Sequence, residues 1–583
     1  MFRDTFAEEL EYLRELGRAM AREYPVLAPF LDAPEGDPAI ERILEGTAFL
    51  SAGLREKLDD DVPELTHAIL ESLAPALMRP GPATSILAFQ PIGQMVSEPH
   101  RVPAGTEVDA RAVEGVSCRF RTVWDVTLLP LALVSAGVQG DVGATPELLL
   151  RLQLSTGTKP EDLVIDALRF HLAGAPEVRS ALQAWLGEWV ADVRLRVPGS
   201  ERLRQLSPQS VRPVGFAPGE GLWRDAPRVP RVYRLLQEYF TFPEKFSFVD
   251  FTGIGRLDWL GDARELEIAL RFSRPRAPEL QAGPENFLLH CTPIVNLFTR
   301  KSAPIPLGSG LGEYRVEPAD AQEGRVEVHS VERVEGWTRG AVERIAFPRF
   351  DTLARRGAAG QEDVWFRTRQ AASVVERRVD TWVSFVDASQ QRAPVKADTA
   401  VADLLCTNGD LPAQLGPGDV DRATSSSPPV ARFRNVGLVV PGAMPPIDAE
   451  LPWRLLAQFS PNRHLLSGPE PLRFLLASFD LRGLRDRQAR RATERRLDGI
   501  AGVRTRVEDV FHRGAPARGL CVELELDAEC FDGPGELWLF TRLIEEALPL
   551  FATENATTRL VVHVQPTGER RERPARRGVQ PIL

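Results

Sequence analysis

The sequence predicts an α+β, multidomain protein with an N-terminal helical segment, a β-rich middle and an α+β C-terminal domain. Three observations carry that reading. Apolar residues recur at spacings of three and four over residues 1–78, the signature of a helix face. From about Met78 to Phe350 this period gives way to short β-branched and aromatic runs, punctuated by many of the chain's 48 prolines and 45 glycines. Near the C-terminus, strict alternation is followed by a helical stripe and then by alternation again. With 583 residues, 43% of them hydrophobic and 26% charged, the chain is long enough to bury several cores.

The first helix opens on a capping box, Thr5 with Glu8, and carries Phe6, Leu10, Leu13, Gly17, Met20 and Tyr24 on one face, widened by Tyr12, Leu16 and Ala19. Pro25 ends it. A second helix starts at Asp37–Pro38 and carries Ile40, Ile43, Leu44, Thr47, Leu50, Leu54 and Leu58. Asp61 and Glu64 around Pro63 start a third, running through Leu73. Faces this broad need cover on more than one side, either from an internal bundle or from a partner's helices.

In the middle region, SILAFQP (Ser85–Pro91), TVWDVTLLPLALV (Thr122–Val134) and RVEVHSVERV (Arg325–Val334) have strand composition. Helices are expected near Pro176–Val190 and Val229–Tyr239, and Phe240, Phe242, Phe246, Phe248 and Phe251 read as core. Mixed segments follow Arg355, then a loop at Ser425–Val430 and an arginine-rich connector with Arg482, Arg485, Arg487, Arg490, Arg491, Arg495 and Arg496. Leu520, Val522, Leu524 and Leu526 alternate with Cys521, Glu523, Glu525 and Asp527 as a half-buried strand. Leu537, Phe540, Ile544, Leu548 and Phe551 mark a helix, and Leu560, Val562 and Val564 a second strand. The tail GERRERPARRG is too charged and too interrupted to pack, and is expected to be mobile. The implied divisions are 1–78 (bundle-forming helices), 79–350 (β-rich, wing-like), 351–480 (mixed linker and branching region), 481–567 (α+β) and 568–583 (mobile tail).

The chemistry is conspicuous by its absence. There is no GxxxxGK[ST] phosphate loop, no HExxH and no GxSxG, so no catalytic, cofactor-binding or metal residues are assigned. Gly308, Gly310 and Gly312 lack the spacing of a dinucleotide loop, and Asp59–Asp61 reads as a solvated helix start. The five cysteines are scattered and form no CxxC pair, which suits buried thiols in a reducing compartment. The N-terminus lacks the apolar core of a signal peptide, and no stretch reaches the ~20 apolar residues of a membrane helix. The expectation is a cytoplasmic protein. Only five lysines occur, so most of the positive charge is arginine, which reads mainly as genomic composition. With 71 basic against 81 acidic residues the net charge is −10, which argues against a nucleic-acid partner.

Several blocks, in order along the chain, resemble one family. They are DPAIERILEGTAFLSAGLREKLDDDVPELTHAILESLAP from Asp37, YRLLQEYFTFPEKFSFVDF from Tyr233, CTPIVNLFTRKSAPIPL from Cys291, CTNGDLP from Cys406, WRLLAQFSPNRHLLS from Trp453 and FHRGAPARGLCVELELD from Phe511. The chain is identified by them as similar to the TssF (ImpG/VasA) family of type VI secretion baseplate subunits. The resemblance implies a structural protein without enzymatic activity or cofactor, whose copies pair and join TssG in a wedge around the VgrG spike hub. TssK and TssE attach around the wedges, and the sheath assembles there before contracting to drive out the tube. It also implies a cytoplasmic platform docked at the inner-membrane complex during assembly, with no direct membrane insertion. The tail after Gly568 departs from the family pattern.

On this reading Phe6, Leu10, Leu13, Met20, Ile43, Leu50 and Leu54 are candidate contacts with a TssG-like partner. Cys291, Pro293 and Asn296 belong to one motif block, with Cys291 read as a buried thiol at a strand end. Cys406, Asn408, Gly409 and Asp410 belong to another, where Asn408–Gly409 suits a tight turn and Asn408 and Asp410 can bond the loop's own backbone. In the last block Gly514 and Gly519 bracket a turn entering the Leu520 strand, and His512 and Arg513 anchor it or face a partner. Scaffolding and direct contact both stay open for these motifs. So do a β-rich carbohydrate-active enzyme and a general protein-binding scaffold as alternative functions.

Overall fold

The apolar run at 86–89 has a structural cause: the strand Thr84–Pro91 is covered on both faces over these residues. In the computed structural model, which describes residues 6, 10, 13, 14, 20, 42–51, 69–71, 75–223, 229–307, 312–319, 325–340, 344–350, 364–373, 378–387, 392–445, 463–484, 486–512 and 515–580, Leu87 and Phe89 enter a core with Val108, Phe120, Ile294 and Phe433. Ile86 and Ala88 enter another, with Trp124, Phe242, Phe248 and Leu297. Successive side chains of a strand point to opposite faces, so a strand sandwiched between two layers loses its polar alternation.

That strand lies in a six-stranded antiparallel sheet ordered Arg422–Ala423, Glu107–Val113, Val116–Thr122, Cys291–Val295, Thr84–Pro91, Ala431–Asn435. Two further antiparallel sheets belong to the same region. One is ordered Val211–Pro213, Phe248–Arg256, Val164–Leu172, Phe287–Leu289; the other Leu203–Leu206, Val190–Arg196, Glu265–Phe272, Glu147–Leu154, Leu131–Gln139. Another core forms between the sheet containing Phe298–Lys301, Thr399–Thr407, Glu327–Trp337 and Ile345–Phe347 and the three-stranded sheet Tyr314–Arg315, Val379–Val386, Trp365–Ala372. Phe298, Val331, Val334, Phe366, Phe385 and Leu404 fill it.

The C-terminal sheet is ordered Ile500–His512, Ala515–Asp527, Ala556–Gln565, Glu569–Glu572, with Arg576–Arg577 also on Ala556–Gln565. Ala515–Asp527 and Ala556–Gln565 run parallel, so the helix Pro534–Ala547 carries the chain back between them. This helix packs on the helix Pro176–Glu188 through glycines. A Cβ at Gly187 would lie 2.5 Å from the Trp538 ring, and the Gly535 N–H donates to Ser180 Oγ at 2.9 Å.

The chain divides into two compact units, Met1–Ile69 with Asp448–Trp453, and Leu70–Ile447 with Arg454–Leu583. The divisions drawn from composition at residues 350 and 480 do not appear. Thr399–Thr407 pairs with Phe298–Lys301 and Glu327–Trp337, and Ala431–Asn435 with Thr84–Pro91, so two sheets span residue 350. The arginine-rich connector is the helix Arg487–Asp498, capped by Asp486, whose Oδ1 accepts from Gln488 N at 2.9 Å and Ala489 N at 3.1 Å, and seated by buried Thr493 and Leu497. Four cysteines are buried, but Cys530 is half-exposed, and all five are free.

The tail also differs from its expectation. It forms strands, because its arginines meet carboxylates far upstream. Arg571 reaches Glu188 at 3.2 Å and Glu569 at 3.0 Å, Arg573 reaches Glu188 at 3.4 Å, and Arg576 reaches Glu545 at 3.0 Å and Glu546 at 2.7 Å. Glu188 and Glu545 lie at the C-terminal ends of their helices, where exposed carbonyls also favour cations.

Candidate interaction site

Within the first unit, residues 42–51 are helical, and the stripe splits into two faces. Ala48 is fully buried and Leu44 and Ser51 half-buried, while Ile43, Thr47 and Leu50, one turn apart, face out. Ile43 is 66% exposed, Leu50 68% and Phe49 51%. The Thr47 hydroxyl donates back to the Ile43 carbonyl at 2.7 Å, so it makes no demand on a neighbouring element. Phe6, Leu10 and Leu13 are half-buried helical residues and Met20 is exposed. Leu54 lies outside the described residues.

The CTPIVN and CTNGDLP blocks converge in the second unit. Cys291–Val295 is buried at every position. Proline in a central strand requires that its missing N–H not be needed. At Pro293 the register with Val116–Thr122 has already ended at Ile294, and Trp124 N–H is instead taken by the Thr292 hydroxyl at 3.1 Å. Burial pushes the Cys291 thiol far up and the Cys406 thiol to about 12, so both remain protonated and inert as nucleophiles.

Asn296 follows this strand and Asn408 follows Thr399–Thr407, and both are almost fully buried. Asn296 Nδ2 donates to Asn408 Oδ1 and to the Arg119 carbonyl, each at 2.8 Å. Its Oδ1 accepts from Thr407 Oγ1 at 2.8 Å and Asn408 N at 2.7 Å. Asn408 Oδ1 also accepts from Arg119 N, and its Nδ2 donates to the Arg325 carbonyl, both at 3.3 Å. The Asn408 side chain therefore bonds other segments, not its own loop. Asp410 makes no side-chain cap to the short helical turn it precedes. Gly409 has φ +57°, and a Cβ there would come within 2.7 Å of the Glu327 carboxylate, so both backbone and space call for glycine.

The FHRGAPARG block is a hairpin rather than a glycine-bracketed turn before Leu520. His512 pairs with Ala515, the strand Ala515–Asp527 starts five residues before Leu520, and Gly519 lies inside it, opposite Glu508. His512 ends the preceding strand; Arg513 and Gly514 fall outside the described residues.

Residue-type reasoning missed an ion cluster inside the aromatic block. Glu238 and Lys245 are fully buried and in direct contact, Arg234 lies 3.4 Å from Glu238, and Glu238 Oε1 also accepts from Leu222 N at 2.7 Å. Burial pulls the Lys245 ammonium below its usual range, and Glu238 opposes that pull. The available signal was the i, i+4 spacing of Arg234 and Glu238, together with one of only five lysines set among phenylalanines.

Among the described residues, no group of three or more His, Cys, Asp or Glu stands placed to hold a metal ion, and no helix is long and apolar enough to cross a membrane. What these elements offer is packing surface and rigid junctions.

The family described as "Type VI secretion system, TssF" matches residues 1–580. Over its full length the chain is 30% identical to the type VI secretion system component TssF1 of Pseudomonas aeruginosa, covering 99% of that protein. It is similar, at TM-score 0.78 and 28% identity, to a chain in the type VI TssK–TssF–TssG baseplate subcomplex solved by cryo-electron microscopy, with 92% of this chain and 99% of that one covered. It is also similar to a chain in the baseplate complex from the type VI secretion system, at TM-score 0.68 and 26% identity, with both covered completely. A colinear match spanning helical, β-rich and C-terminal segments together leaves one assignment: this chain belongs to the TssF family of type VI secretion system components.

Proposed function

We propose that the protein is a structural wedge subunit of a type VI baseplate, joining TssG- and TssK-type partners. Pairing of two copies, attachment of TssE, seating around the VgrG spike hub and support of sheath assembly complete the reading. The observation that carries it is the likeness, over 92% of this chain, to a chain solved within a TssK–TssF–TssG subcomplex. The exposed Ile43–Thr47–Leu50 stripe and Met20 support a role for the N-terminal helices as the partner seam, since exposed apolar faces on a helix favour association. The protein would act in the cytoplasm and dock at the inner-membrane complex during assembly.

Co-expression with TssG- and TssK-type chains from the same genome tests this. A complex that co-elutes on size exclusion, containing two copies of this chain, is the expected result. A folded full-length chain that elutes alone in the presence of both partners overturns the reading.

A further inference from the structure

A cleft of about 320 Å³ opens beside the Asn296–Asn408 contact, lined by Asp109, Val116, Arg119, Phe298, Arg300 and Arg325, among others. Three guanidinium groups thus face one space lined by a single carboxylate, in a chain whose net charge is −10.

The three arginines are not equivalent. Arg119 is neutralised: Nε and Nη2 bind both oxygens of Asp109, at 2.9 and 3.2 Å, and Nη1 binds Glu107 at 3.0 Å. Arg325 is held by the hairpin turn, donating to the Glu114 carbonyl and lying 3.6 Å from its carboxylate. Arg300 is half-buried, and its partners are the carbonyl of Thr299, at 3.3 Å, and the Phe298 ring, whose centroid is 5.0 Å away. No carboxylate of the described residues forms an ion pair with it, whereas its neighbour Lys301 pairs with Asp403.

The rim is strained. Glu114 sits at φ +49° and Gly115 at φ +82°, a turn that suits Asn–Gly better than Glu–Gly. Arg325 and Gln414, which donates to Glu114 Oε1 at 3.1 Å, hold it in place.

We propose that this cleft docks a carboxylate side chain on an acidic loop of a partner subunit, with Arg300 as the cation that meets it. The planar guanidinium, flanked by the Phe298 ring, presents its donor fork for a bidentate contact, and Arg matches carboxylates in this way where Lys does not. Val116, Phe298 and Val326 supply apolar wall. That wall suits the carbon atoms of a peptide segment and contributes nothing to a free anion. The inference rests on the baseplate reading, because it requires a partner.

The test uses the full-length chain reconstituted with the TssG- and TssK-type chains. Arg300→Glu should weaken assembly about tenfold or more without changing the thermal midpoint of the isolated chain. Arg300→Lys should retain part of the affinity and, under carbodiimide, form an amide between residue 300 and one partner Asp or Glu with loss of water, located by mass spectrometry. Assembly of Arg300→Glu within twofold of the unsubstituted chain, or no cross-link from the lysine variant in the intact complex, overturns the proposal. So does stabilisation of the isolated chain by inorganic phosphate that vanishes in Arg300→Glu, since that assigns the cleft to a small anion. If the unsubstituted chain fails to assemble, the baseplate reading falls, and this inference with it; if it assembles and Arg300→Glu does so equally well, only this inference falls.

Discussion

Asn296 and Asn408, 112 positions apart, close a reciprocal pair: Asn296 Nδ2 donates to Asn408 Oδ1 at 2.8 Å, and Asn408 N–H donates to Asn296 Oδ1 at 2.7 Å. This pair joins the loop after Thr399–Thr407 to the segment leaving Cys291–Val295, tying together two sheets with separate cores. Asn296→Ala strands the buried Thr407 hydroxyl and Asn408 N–H, and the carbonyl of half-buried Arg119. The expected loss is about 3 kcal/mol in urea denaturation. Asn408→Ala should cost less than Asn296→Ala, and the double variant should fall short of the sum by about 1 kcal/mol. Additive losses would show that the two amides act independently.

Acid should destabilise the fold through three buried histidines. Burial lowers the pKa values of His171 to about 3, His290 to about 4 and His329 to about 3. His290 Nε2 accepts from Leu129 N at 3.0 Å, a bond that protonation would abolish. The folded values lie below the unfolded one, so stability is full above about pH 6.5 and falls as pH drops towards 4. Near pH 5.5 each contributes roughly 1.4 kcal/mol of loss. Among the described residues neither ring nitrogen of His171 has a hydrogen-bond partner, and the ring centroid lies 4.7 Å from that of Phe248. His171→Phe should therefore be tolerated at pH 7.5 and should flatten the acid limb of a thermal-midpoint profile.

The tail should be stabilising. Arg571→Ala removes one cation from Glu188, which keeps Arg573, and one from Glu569, which keeps Arg274, at a site where the arginine side chain is 7% exposed. We expect a loss of about 3 kcal/mol in chemical denaturation. Arg490→Ala breaks an exposed pair with Glu494 and should change stability by less than about 0.5 kcal/mol. Equal effects would mean that burial does not set the strength of these pairs.

Lys245→Met removes the cation in contact with a carboxylate that has no solvent exposure. The expected loss is about 3–5 kcal/mol. Adding Glu238→Gln should not restore it, because Arg234, 5% exposed and 3.4 Å from Glu238, then keeps a buried charge without that carboxylate. Full recovery of stability in the double variant would contradict a charge-based account.

Leu50→Asp and Ile43→Asp alter exposed positions and should leave the thermal midpoint of the isolated chain unchanged. In the co-expressed complex they bury an unpaired charge at the proposed seam, and should reduce co-purification of the TssG-type partner about tenfold or more. Unchanged recovery would move the seam elsewhere.

Local pattern was enough for the regular elements of the C-terminal domain, although their helix packs on Pro176–Glu188 far upstream. The helix Pro534–Ala547 and its flanking strands were legible because apolar residues keep a period of 3.6 or two residues there, with Glu523, Glu525 and Glu546 at the half-buried positions between. The Asn–Gly turn was legible for the backbone it permits, yet the role of Asn408 was not. The three hydrogen bonds of its side chain go to residues 119, 296 and 325, and nothing local distinguishes an asparagine whose side chain bonds its own loop from one that bonds another sheet.

The tail shows the same limit from the electrostatic side. A run of arginines broken by proline and glycine reads as solvated until Glu188, Glu545 and Glu546 are brought beside it. The sequence by itself determined the fold class, the placement of several helices and strands, and, through its colinear blocks, the family. Tertiary structure alone decided that residues before and after position 350 share sheets, that the tail is pinned, and that Arg300 forms no ion pair with a carboxylate of the described residues. Those outcomes depend on strand pairing and charge pairing between segments tens to hundreds of residues apart, and local periodicity carries no record of such distances.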